Sequence, residues 1–152
     1  MARLRWFTRR RLALLLTVIA IPLAVYFAAP LFVNIQADVP TPTGFTVLAK
    51  QGTWQGADDF HFASGVAKIL GDGNGNYMFR VEDFGIRNGP DIEFFLSENP
   101  AYDSSDVRLG DVVATSGNFN IPVPTGTDVD SANYAIVWCV PFGVLFATVA
   151  LT

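Results

Sequence analysis

The sequence holds one cysteine and one histidine in 152 residues, and these two scarcities exclude much of the chemistry open to a small domain. With Cys139 alone, no disulfide closes within the chain, and neither a C-x-x-C pair nor the C-x-x-C-H of a covalently attached haem can exist. With His61 as the only imidazole, the two histidines of a blue-copper centre are missing. A zinc site would have to complete Cys139 and His61 with two carboxylates, an unusual donor set, so no metal site is assigned. A Ser-His-Asp arrangement would need His61 as base and Ser64, Ser97, Ser104, Ser105, Ser116 or Ser131 as nucleophile. No G-x-S-x-G turn accompanies any of them, and no catalytic residue is assigned. Non-covalent haem held by Cys139, His61 or both survives this inventory, because haem iron accepts thiolate or imidazole.

Positive charge is the next scarcity. Five of the ten basic residues, Arg3, Arg5, Arg9, Arg10 and Arg11, precede Leu12, and only Lys50, Lys68, Arg80, Arg87 and Arg108 follow. All fourteen carboxylates lie beyond Val33, so five cations face fourteen anions there and the net charge is −9. Affinity for nucleic acid is mostly electrostatic, which excludes it as a partner of that part of the chain.

Charge of either sign is absent from Leu12 to Ala37. Leu12 to Val33 is long enough to cross a bilayer, since roughly 20 apolar residues at ~1.5 Å each span a ~30 Å hydrocarbon core. Pro22 kinks such a helix without forbidding it. The arginines before it belong on the cytoplasmic side, which sends residues 38 onward across the membrane. The run exceeds the roughly 7–15 residues of a signal-peptide core and therefore reads as a retained signal-anchor. A cleaved signal ending at Ile35-Gln36-Ala37 is the rival, and Thr8 to Leu12 also resembles a twin-arginine export signal. The expected organisation is a basic cytoplasmic segment (1–11), a transmembrane helix (12–33), a linker rich in proline and small polar residues (34–44) and one extracytoplasmic domain (45–152).

Short β-branched and aromatic runs alternate with turn residues through the domain. That pattern predicts an all-β antiparallel sandwich of about eight short strands. They are expected at Thr46 to Lys50, Gly65 to Leu70, Tyr77 to Phe84, Ile92 to Leu96, Arg108 to Ala114, Asn118 to Pro122, Tyr134 to Cys139 and Val144 to Leu151. In Tyr77 to Phe84, Tyr77, Phe79 and Val81 alternate with Met78, Arg80 and Glu82, one face for the core and one for water. Tyr134 to Cys139 is apolar on both faces, as a central strand covered on both sides would be, so Cys139 is expected to be buried. Asp72 to Asn76, with glycines at 73 and 75, reads as a hairpin turn rather than a calcium loop, because Tyr77 stands where an EF-hand needs its glycine. Asn88-Gly89-Pro90-Asp91 is a second reversal, with Asp91 placed to bond the turn backbone.

Several segments together resemble a known family. His61-Phe-Ala-Ser64-Gly65, then Phe79 to Phe84 with its Glu82-Asp83-Phe84, then Gly89-Pro90-Asp91 running into Phe94 to Leu96, and finally Trp138-Cys139 with Phe142, Val144 and Phe146, occur in this order across nearly all of Gly52 to Leu151. In that order and spacing they are similar to the electron-transfer DM-thirteen domain, a DOMON-associated module of Skeletor-type proteins. The resemblance implies an extracytoplasmic β-domain with a redox role centred on Cys139, as a free thiol or as a ligand, with His61 as second ligand or proton donor and an extracytoplasmic protein as redox partner. The alternative is a non-catalytic recognition or structural domain whose cysteine is merely packed, with partner-binding loops at Gly85 to Asp91 and Glu98 to Asp106.

A covered thiol should alkylate slowly in the native domain, and Cys139→Ser should be less stable than Cys139→Ala if the hydroxyl finds no partner. His61 and Cys139, carried by motifs at opposite ends of the domain sequence, are expected to lie close together. Carbonate extraction with N-terminal sequencing should recover an intact chain in the membrane fraction; a soluble chain beginning at Asp38 would establish the cleaved signal.

Overall fold

A computed structural model describes residues 2–28 and 34–152. They fall into two compact units, residues 1–33 and Asn34–Thr152. In the first, α1 runs over Ala2–Ala28 with Pro22 inside it, and its large apolar side chains from Leu12 to Tyr26 are exposed. Among the described residues no helix is long and apolar enough to cross a membrane. The expected transmembrane helix is thus not supported here. Its last five residues, 29–33, lie outside the described residues, and α1 supplies only the part up to Ala28.

The second unit is built of strands: β1 (Gln36–Asp38), β2 (Val47–Thr53), β3 (Gln55–Gly56), β4 (Ala63–Gly71), β5 (Tyr77–Ile86), β6 (Ile92–Ser97), β7 (Val107–Asp111), β8 (Ser116–Pro122), β9 (Tyr134–Cys139) and β10 (Val144–Ala150). They form two five-stranded sheets, ordered β1-β8-β5-β4-β2 and β3-β10-β9-β6-β7. Every pairing is antiparallel except β1 with β8. The eight strands expected from the sequence are all present, and β1 and β3 are additional. Neither carries an apolar pattern, because each is a short piece at the edge of its sheet. Gln36–Asp38, expected within the linker, instead extends the first sheet through its register with Ser116 to Asn118.

The core is aromatic. Phe94, wholly buried in β6, lies with its ring centroid 5.6 Å from Phe79 and Phe84, 5.9 Å from Trp54 and 6.1 Å from Phe119. Phe79 and Phe84 come from β5 and Phe119 from β8, so one side chain of the second sheet packs into the first. The expected water-facing row on β5 is only partly so. Arg80 is buried, bonds Val39 O and Asn120 Oδ1, and pairs with Glu82 at 2.7 Å. Burial of a guanidinium is tolerated there because its donors are satisfied.

A strict period of two along β5 would turn Asp83 inward and Phe84 outward. The register with β8 shifts between Val81 and Phe84, and that with β4 between Ser64 and Val66. The extra residue resets the phase: Asp83 takes a positive φ of 48°, its N–H donates to Asn118 Oδ1, and Phe84 enters the core. Opposite the bulge, Gly65 has a φ of +99°, and a Cβ there would meet Glu82 O at 2.5 Å and Asp83 O at 2.6 Å. The motif residues Ser64, Gly65, Asp83 and Phe84 therefore serve this bulge. Gly65→Ala should cost about 2–3 kcal/mol, combining positive-φ strain with a backbone clash. Chemical denaturation would read this as a lower midpoint at unchanged slope, and an unchanged midpoint would show that the bulge can relax.

Candidate functional site

The strand register brings four loops to one end of the sandwich: 57–62 before β4, 87–91 between β5 and β6, 112–115 between β7 and β8, and 140–143 between β9 and β10. Cys139 closes β9 at this end, paired with Ile92 on one side and Val144 on the other. β9 is the middle strand of its sheet and Cys139 is 1% exposed, so the burial expected from the sequence holds. Its outer face is covered by the 98–106 loop, whose Tyr102 stacks on Trp138 at 4.6 Å and 14°. Trp138 is thereby a packing residue of the far face and not a neighbour of the inward side.

The thiol is not in a purely apolar setting. Cys139 Sγ donates to Pro90 O at 3.0 Å, and the turn carrying Pro90 is tied to the strand by Val140 N–H donating to Asp91 O at 3.1 Å. Burial pushes the thiol pKa above its ordinary value, the nearby Asp91 carboxylate adds to that, and the Phe142 N–H directed at the sulfur opposes it. Asp91 serves the turn through its carbonyl and a positive φ of 51°, rather than through the side-chain bond expected of it.

His61 lies in the first loop. An Asp58 oxygen accepts the N–H groups of Phe60 and His61 at 2.7 and 2.6 Å, and its other oxygen meets His61 Nδ1 at 2.8 Å. These bonds, led by the one to the imidazole, lower the Asp58 pKa to about 2. The His61 ring packs edge-on against Phe146 at 4.9 Å. A Cβ on Gly89 would fall 2.8 Å from Phe146 Cζ, so only glycine lets the Gly89-Pro90-Asp91 turn close over that ring. The link from His61 to Cys139 is thus indirect, through Phe146 and the turn, and each polar group has its own partner. Asp58 is the residue that sequence reasoning missed; its spacing of three before the histidine was the available signal.

Clefts lie at both ends of the described domain. The larger, about 420 Å³, lies at the opposite end among Glu98, Asp103, Asp106 and Asp128, and the smaller, about 200 Å³, lies beside Gly89 and Asp91. Neither is lined by Cys139 or His61. A buried sulfur bonded to a carbonyl is no open ligand position, so haem ligated through Cys139 does not fit this site. Asp91, Glu93 and Asp111 place carboxylate oxygens within 4.8 Å of one another. Two of the three are engaged by Arg108, with both Glu93 oxygens bonded at 2.5 and 2.9 Å and Asp111 also paired. At the Asp72 turn the carboxylate accepts from Asn74 and Asn76, the hairpin role expected of it.

Residues 57–151 match the family model described as Electron transfer DM13. Comparison with curated proteins and with solved structures gives no match.

The Pro90 carbonyl and the Phe142 N–H reverse the expectation for substitution at 139. A serine hydroxyl there has an acceptor and a donor in place, so Cys139→Ser should unfold at a midpoint no lower than Cys139→Ala, which leaves the Pro90 carbonyl without its side-chain donor. A serine variant clearly the less stable would show that the shorter side chain cannot reach them. For Asp58, a depressed folded pKa means that its bonds stabilise the loop above about pH 4 and are lost as pH falls through about 2. An NMR titration of the Asp58 carboxyl should find its midpoint near 2, and a midpoint near 4 would remove the bond to His61.

Proposed function

The chain belongs to the Electron transfer DM13 family, and from that premise we propose a membrane-anchored, extracytoplasmic electron-transfer module whose redox atom is Cys139 Sγ. One observation carries the reading. The Gly89-Pro90-Asp91 turn and the Trp138-Cys139 to Phe146 ending meet at the sulfur, and His61 reaches the same place through Phe146. Anchoring is supported by the uncharged run from Leu12 to Ala37 behind five arginines.

The chemistry that suits one thiol is exchange with a disulfide of an extracytoplasmic partner protein. The Cys139 thiol loses its proton to water, and the thiolate attacks one sulfur of the partner's disulfide. A bond forms to Cys139 as the partner's S–S bond breaks, and the leaving thiolate takes up a proton. A thiol of a dithiol donor protein then attacks the Cys139 sulfur and releases the first partner as a dithiol. The donor's other thiol closes the donor's own disulfide and frees Cys139 as a thiolate, so that two electrons pass from the donor dithiol to the first partner's disulfide. Pro90 O holds the resting thiol, the Phe142 N–H favours the thiolate, and the 140–143 hairpin must move aside for attack. Burial therefore makes the resting sulfur slow and selective.

The 1% exposure and raised pKa of Cys139 favour a second reading, a recognition or structural domain with an inert thiol. The two separate on reaction with a small aromatic disulfide. For a redox sulfur, the native full chain should form a mixed disulfide more slowly than the unfolded chain, at a rate that rises with pH toward the thiol pKa and stays well above that of global unfolding. Reaction only at the unfolding rate would leave the inert domain as the function.

A further inference from the structure

The described domain has nine exposed large apolar side chains, and six of them, Ile35, Phe60, Phe62, Val113, Val140 and Phe142, lie on the loops of the sulfur-bearing end or on the segment leading into it. They are drawn together by bonds at that end: Arg87 N–H donates to Phe62 O, Val140 N–H to Asp91 O, and Thr115 N–H to Ile35 O. Phe60 and Phe142 are 58% and 70% exposed. The Arg87 guanidinium lies 4.4 Å over the Phe60 ring and 5.6 Å from that of Phe62. Apolar tips on separate loops, aromatic and accompanied by an arginine that can extend past them, suit the boundary between acyl chains and headgroups.

The course of the chain identifies the occupant. Asn34 enters the domain at this same end, its Oδ1 accepting from Asn88 Nδ2 at 3.2 Å, while Ile35 is held by Thr115. The proposed anchor ends at Val33, so in the sequence it leads directly into this entry point. We propose that this end of the sandwich seats on the lipid surface crossed by the protein's own anchor, with Phe60, Phe62, Val140 and Phe142 entering the interface. The inference rests on the anchor proposed above. It commits to lipid apolarity and not to anionic headgroups, because Asp58, Asp59, Asp91 and Asp111 share this end with Arg87 and would be repelled by them. The acidic cleft of Glu98, Asp103, Asp106 and Asp128 lies at the far end, turned to water. Cys139, buried behind the 140–143 loop, would then lie close to the interface.

The test uses the full chain in phosphatidylcholine vesicles with brominated acyl chains, which quench an indole only at close range. Phe142→Trp adds an indole at the proposed seat and Thr125→Trp one on the opposite end. The emission added by the first should be quenched severalfold more than that added by the second, with Phe60→Trp behaving as Phe142→Trp if the latter misfolds. Salt should leave the contrast unchanged. Equal quenching at positions 142 and 125 overturns the seating, whether the vacant end is bare or covered by a second copy. Carbonate extraction of the same vesicles reads the anchor separately: a chain that resists extraction without the contrast keeps the anchor and loses the seat, and one that washes off after showing the contrast does the opposite.

Discussion

Phe94 is the contact on which the rest of this domain depends. It is the fully buried ring through which the second sheet packs against Phe79, Phe84 and Phe119 of the first and against Trp54. Tilted and edge-on aromatic contacts of this kind add to the energy of burial and hold direction as well as distance. Shifting either sheet by one residue would exchange inward and outward side chains along every strand. The two sheets therefore lock in one relation, and the four loops at the sulfur-bearing end are brought level with one another.

The bulge on β5 shows how much local irregularity this requires. Without the extra residue at Asp83 the strand would present a carboxylate where Phe84 now packs, and Phe94 would lose one of its neighbours. Gly65 exists to let that bulge approach β4, and Gly89 to let the Gly89-Pro90-Asp91 turn approach Phe146. Both glycines are places where a backbone comes closer to another group than a side chain would permit.

At the sulfur, protection and reactivity come from the same atoms. The carbonyl that satisfies the thiol favours its protonated form, while the Phe142 N–H of the following loop favours the thiolate. If Cys139 is the redox atom proposed above, its reaction waits on a movement of that loop. Val140 and Phe142, on the loop that follows Cys139, are the exposed large apolar side chains nearest in sequence to the sulfur.

The amino-acid sequence by itself determined the strand content, the burial of Cys139 and the family, because these follow from a period of two and from motifs in a fixed order. It could not show β1 and β3, whose residues have no apolar pattern to betray them, nor the phase reset at Asp83, which cancels a local alternation to satisfy a distant core. The site was legible only as a pair of scarce residues. Which polar groups surround them was decided by the tertiary structure, because Pro90 O reaches the sulfur from 49 residues away and Phe146 meets His61 across a gap of 85 positions in the numbering. Contacts of that span are made by sheet order and register, and no pattern local to either residue encodes them.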